Sequence, residues 1–151
     1  MALDDDIRIL SGVGLFEGFT REQLRLMAFG AESMTLPAGR DIYAEGAPAD
    51  CAFIVASGNV ALFTERDGER QIVERLGPGD MIGEFALIAE GRRMTNAVAE
   101  SETRLVRISR SSFHRILEEF PETAIRLHER IAENLQLMIS RMERIADRFT
   151  D

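Results

Sequence analysis

Eight of the twelve glycines fall between Gly39 and Gly91, and none follows Gly91. Of the four prolines, Pro48 and Pro78 share that segment and Pro37 lies two residues before it. Glycine and proline punctuate the backbone into turns. At this density they leave room only for short strands joined by tight connections. Strand candidates are RDIYAEG (40–46), CAFIVASGNVALFTERDGERQIVERL (51–76) and NAVAESETRLVRIS (96–109). Ser57-Gly58-Asn59 and Asp67-Gly68 are turn signals that divide the second stretch. The third reads as two strands around Glu100–Glu102, and LGPGDMIGE (76–84) reads as a loop. About eight strands at close spacing predict a mainly β unit, a barrel or a jelly roll.

The ends read as helix. Thr20 precedes Gln23 at capping-box spacing, and Leu24, Met27 and Ala28 then form one face. Ser111 or Ser112 can cap a helix carrying Phe113, Ile116 and Leu117. Phe120-Pro121 breaks that helix, and Pro121 suits the first turn of the next. Nothing interrupts a helix from Pro121 to about Phe149, roughly 43 Å at 1.5 Å per residue. Its apolar positions 131, 135, 138, 142, 145 and 149 alternate spacings of four and three, close to a heptad seam. One reading packs this face on its own domain. The other pairs the distal half with a second copy, because Ile139 and Ile145 on a projecting helix would otherwise be exposed apolar surface.

Composition narrows the function classes. A chain of 151 residues suits one domain and buries roughly 68–70% of its unfolded surface, so a core forms without disulfide or metal. Cys51 is the single cysteine, which rules out a disulfide within the chain and fits a reducing cytoplasm. The start, MALDDD, has neither a basic nor an apolar signal-peptide region, and no apolar run approaches the ~20 residues of a membrane span. A net charge of −8 opposes binding to nucleic acid or to an anionic membrane. His114 and His128 have no nearby candidate ligands, and no histidine lies among the predicted strands. A metal-dependent enzyme of cupin type is therefore disfavoured, and no catalytic residue or metal is expected.

GEFALIAEGRRMTNA (83–97) is the stretch with chemistry in it. Gly83 allows close backbone approach. Phe85 to Ile88 can form a short turn with unbonded N–H groups. The guanidinium of Arg93 can clamp a phosphate with two parallel hydrogen bonds. Glu84 would repel that phosphate but can accept from a sugar hydroxyl. Together these parts describe a pocket for a sugar phosphate carrying one diester charge. From spacing alone, Glu84, Arg92 and Arg93 read first as solvated loop charges, because a Gly-Glu pair and an Arg pair are common.

The wider chain resembles the cyclic-nucleotide-binding domain family, which includes the sensor halves of catabolite-activator-type regulators and the regulatory subunit of the cyclic-AMP-dependent kinase. Gly83-Glu84-Phe85-Ala86-Leu87-Ile88 followed by Arg93-Met94-Thr95 looks like its phosphate-binding cassette. LPAGRDIYAEGAPAD (36–50), AFIVASGNVAL (52–62), LGPGDMIGE (76–84) and LFEGFTREQLRLMA (15–28) are similar to further family landmarks, in order, over residues 10–149. The resemblance implies a single domain, 1–151: a helical segment (1–32), a double-stranded β-helix or β-roll with its cassette (33–109), and C-terminal helices (110–151). It implies that Glu84 takes the ribose 2′-hydroxyl and Arg93 the cyclic phosphate. Gly83, Phe85 and Ala86 would line the cassette, beside Met94 and Thr95. Arg92 has no role in the motif.

Two positions depart from the family pattern. After the arginine the family usually carries Ser, Thr or Ala. Met94 offers no hydroxyl there, which argues for cyclic AMP over cyclic GMP. Successive strand residues face opposite sides, so Thr95 is not expected to substitute. In the dimeric regulators, hydroxyls on the long helix reach the adenine. The matching region here is Met138-Ile139, which implies either apolar stacking on the base or a different mode of base recognition. No helix-turn-helix or second copy follows in the sequence. The expectation is a stand-alone cytoplasmic sensor for a cyclic mononucleotide, without cofactor, that signals through helix 121–149 to a second copy or a partner protein. The alternative is a dimerisation or scaffold module of the same fold that no longer binds nucleotide.

Overall fold

The computed structural model describes residues 2–147; of Ala2, Leu3 and Asp147 only the backbone is described. The chain runs α1 (Ala2–Ser11), a 3₁₀ turn (Gly14–Phe16) and α2 (Arg21–Phe29), then strands β1 (Ala31–Leu36), β2 (Asp41–Tyr43) and β3 (Pro48–Ala49). There follow β4 (Cys51–Ser57), β5 (Val60–Arg66), β6 (Glu69–Leu76) and β7 (Met81–Ile82). A second 3₁₀ turn (Glu84–Leu87) precedes β8 (Gly91–Arg92), β9 (Asn96–Ala99) and β10 (Thr103–Ser109), and α3 (Arg110–Glu119) and α4 (Pro121–Asp147) close the chain. Among the described residues, no helix is long and apolar enough to cross a membrane.

The strands form two antiparallel four-stranded sheets, ordered β1-β10-β4-β7 and β2-β9-β5-β6, plus a ribbon of β3 with β8. This is the β-roll expected from the sequence. Ten strands replace the expected eight, because two-residue pieces flank the cassette. β4 explains how the layers assemble. Its sequence CAFIVAS is buried from Cys51 to Val55 on both faces. Phe53 and Val55 point into the roll with Leu62, Leu76 and Leu105. Ala52 and Ile54 point outward, under a helical layer that includes Leu10, Met27, Phe113 and Ile131. The β5–β6 hairpin turns at Asp67 (φ 53°) and Gly68 (φ 80°), the double positive φ of a type I′ turn.

Helix starts follow local chemistry. The Thr20–Gln23 capping box forms in full. α3 begins earlier than expected: Ser109, not Ser111 or Ser112, is the N-cap, and its Oγ accepts from Ser112 N. β10 ends at Ser109, so the capping hydroxyl lies on the last strand residue. Phe120 closes α3 and Pro121 opens α4.

α4 corrects the expectation that its distal half projects. Leu127 and Ile131 belong to the helical layer. Further along, Met138, Met142 and Ile145 pack on the core of the roll. Met138, Met142 and Ile145 of the heptad-like face are thus partly buried against the protein's own roll. Position 149 of that series lies outside the described residues. Arg130 fastens the crossing, its Nη1 donating to Leu15 O (2.9 Å) and Glu17 O (2.8 Å).

Candidate functional site

The cassette sits where sheet edge meets helix. β7 pairs with Phe53 and Ile54 of β4, which brings Gly83 to the end of the sheet. Gly83 adopts φ 71° and starts the 3₁₀ turn. Beyond the turn, β8 pairs with β3. The Arg93 backbone is held on both sides, N to Ala47 O and O from Gly46 N, each 2.8 Å. Its side chain is directed inward and is only 7% exposed.

The Arg93 guanidinium is tightly held yet incompletely satisfied. Nη2 donates to Cys51 O (2.7 Å) and lies 3.4 Å from Cys51 Sγ. Its face stacks on the ring of Tyr43 at 4.3 Å, with Phe53 at 6.0 Å. Nη1 lies against Gly83, where a Cβ would collide with it. Nε is buried without a hydrogen-bond partner. Among the described residues, no carboxylate forms an ion pair with Arg93. A buried cation in that state is costly and demands an anion.

Glu84 lies on another part of the same cavity wall. Burial pushes its carboxyl up to about 7; the Asn134 side-chain amide opposes the shift, and Glu74 and Asp80 add to it. Burial likewise pushes the Tyr43 hydroxyl up to about 12, against the pull of Arg93 and of the Thr95 side chain. The cavity holds about 470 Å³, within the ~300–1,000 Å³ usual for small-molecule sites.

Gly83, Glu84, Phe85, Ala86, Arg93, Met94 and Thr95 all line this cavity. Two details differ from the sequence reading. Met94 and Thr95 form a bend between β8 and β9 rather than a strand, so strand alternation does not separate them. Thr95 is buried inside, on the cavity wall near the Tyr43 hydroxyl. Of the two positions expected at the base, Met138 lines the cavity and Ile139 does not, because it lies one residue around the helix. The Ala86 N–H is taken by Gly83 O (3.1 Å). Tyr43, Glu74, Asn134 and Arg141 were missed. No spacing links them to the cassette. The one available signal was Glu74, an acid within the apolar alternation of VERL (73–76). Arg92 is exposed, donates to Gly46 O and also lines the cavity. Among the described residues, no cluster of candidate metal ligands occurs.

A two-sheet roll, an inward arginine on a glycine-led cassette and a helix laid over the cavity together define a small-molecule-binding domain. The chain belongs to the cyclic nucleotide-binding domain family, which it matches over residues 33–120. It is 31% identical over 139 residues to the cyclic AMP receptor protein of Thermus thermophilus, covering 91% of this chain and 61% of that protein. The chain thus spans about six tenths of the length of such curated relatives. Among solved structures, a cyclic nucleotide-binding-like protein from Brucella abortus is 58% identical, with a TM-score of 0.68 over 76% of this chain and 99% of that one. The regulatory domain of Toxoplasma gondii PKA with cAMP is 28% identical, with a TM-score of 0.70 over 76% of this chain and 44% of that one.

Proposed function

We propose that this domain senses a cyclic mononucleotide, cyclic AMP in the first place. The observation that carries the reading is Arg93: a buried guanidinium with an unbonded Nε beside a cavity sized for a small molecule. A singly charged cyclic phosphate supplies the missing counter-charge. The ribose 2′-hydroxyl donates to Glu84, in place of Asn134. Binding of this kind tightens the cassette through Arg93. Loss of the Asn134 contact loosens α4, with the break at Phe120-Pro121 as hinge. Differential affinity for the two helix positions drives the change. Release of α4 uncovers Met138, Met142 and Ile145 for a second copy or a partner protein.

Titration calorimetry of the wild type and Arg93→Ala with cyclic AMP and cyclic GMP tests the reading. Heat from the wild type and none from the variant is the expected result. The second reading, a scaffold that binds no nucleotide, draws on Met94, which lines the cavity without offering a hydroxyl. Absence of heat from the wild type with either nucleotide selects it.

A further inference from the structure

The cavity contains a charge pair that the cassette does not use. Glu74 in β6 accepts an ion-pair contact from Arg141 in α4, Nη1 to Oε1 at 2.6 Å, and both residues line the cavity. Glu74 stands opposite Leu62 in the hairpin register and two residues before Leu76. All three share one sheet face, and the two leucines belong to the core of the roll. A carboxylate among inward-facing leucines is a poor choice for packing alone. On the helix side, Arg141 follows Met138 by three residues and so shares its face. Met138 offers an apolar surface, and Arg141 places a guanidinium one turn beyond it.

We infer that the Glu74–Arg141 pair reads the edge of the ligand's base, and that it selects a base whose exocyclic amino group adjoins a ring-nitrogen acceptor. The inference rests on the cyclic-nucleotide reading above. Both side chains line the cavity and stay partly exposed, Arg141 at 41% and Glu74 at 30%, so the pair has a carboxylate and a guanidinium to offer a base lying there. A carboxylate accepts from an amino group, and a guanidinium donates to a ring nitrogen. Adenine presents that donor–acceptor pair. A 6-oxo purine presents an oxygen where the amino group stood, which sets acceptor against carboxylate. Discrimination here resides in a pair that links sheet to helix, so base identity and helix position are read by the same contact.

Cyclic AMP and cyclic IMP differ at the 6-position and isolate this term. The test titrates both into the wild type, Glu74→Leu, Glu74→Gln and Arg141→Met, with thermal melts of each variant. The wild type is expected to prefer cyclic AMP over cyclic IMP by about tenfold, on the scale of one good base contact. Glu74→Leu and Arg141→Met are expected to abolish the preference while retaining binding. Glu74→Gln keeps an acceptor and tests the charge should the leucine variant fail to fold; it is expected to reduce the preference. Equal binding of both nucleotides by the wild type overturns the inference, as does an equal loss for both in the variants, the mark of a mere helix latch. Failure of the wild type to bind any cyclic nucleotide overturns the functional reading itself, and this inference with it.

Discussion

Arg93 and Gly83 are ten residues apart and touch: the guanidinium Nη1 occupies the space that a Cβ on Gly83 would fill. Gly83 is therefore required twice, for its φ of 71° and for this contact. Gly83→Ala is expected to cost about 1–2 kcal/mol of stability through the left-handed backbone alone. It should also displace Arg93 and weaken cyclic AMP binding by more than tenfold. Chemical denaturation and calorimetry on the same variant separate the two effects. Unchanged affinity would show that the guanidinium does not need this seat.

Arg93 itself should behave unlike a structural arginine. Its buried Nε lacks a partner, and no described carboxylate pairs with it. Removing an uncompensated buried charge does not cost what breaking a satisfied pair costs. Arg93→Met is expected to keep or raise the melting temperature while cyclic AMP affinity falls at least about a hundredfold, since two charge-assisted bonds contribute about 1.5–3 kcal/mol each. A large loss of stability would mean that the bond to Cys51 O is the purpose of the residue.

Glu84 makes two pH predictions of opposite sense. Its carboxyl is raised in the folded protein from 4.5 to about 7. The folded state therefore holds a proton that the unfolded chain releases between those values. Stability from this group is full below pH 4.5, falls by up to about 1.4 kcal/mol per pH unit toward pH 7, and is flat above. Ligand binding runs the other way, because the ribose hydroxyl needs the carboxylate as acceptor. Affinity for cyclic AMP should rise about tenfold from pH 6 to pH 8. Glu84→Gln should flatten both profiles in denaturation and calorimetry. A wild-type affinity independent of pH would remove Glu84 from the sugar site.

The parts of the molecule that were legible in the sequence are those whose partners lie close in the chain. The Thr20–Gln23 cap, the Asp67-Gly68 turn and the cassette from Gly83 to Thr95 each act within a few residues. Pocket residues drawn from far apart were not legible. Tyr43, Glu74, Asn134 and Arg141 come from two strands and a helix, and only the closed roll brings them to Arg93 and Glu84. The heptad-like face of α4 shows the same limit. Its periodicity specifies an apolar stripe but not what covers it, and Met138, Met142 and Ile145 pack partly on the roll. Strand alternation does not govern Met94 and Thr95 for a local reason: the two residues form a bend.

Asn134 offers the sharpest check on the closed helix. Its side-chain amide lines the same cavity and holds the Glu84 carboxyl lower than burial alone would leave it. It therefore competes with the ribose hydroxyl for that carboxylate. Asn134→Ala should therefore do two things at once. The midpoint of the pH–affinity profile should move above 7, because the charged form of Glu84 loses its support. On the alkaline plateau, affinity should increase several-fold, because no resident donor has to be displaced, on the scale of one hydrogen bond to a charged group. Near neutral pH the two effects oppose each other, so a titration at a single pH would miss both. A profile with the wild-type midpoint would show that α4 does not rest on Glu84 in solution, and the coupling between ligand and helix would then need another contact.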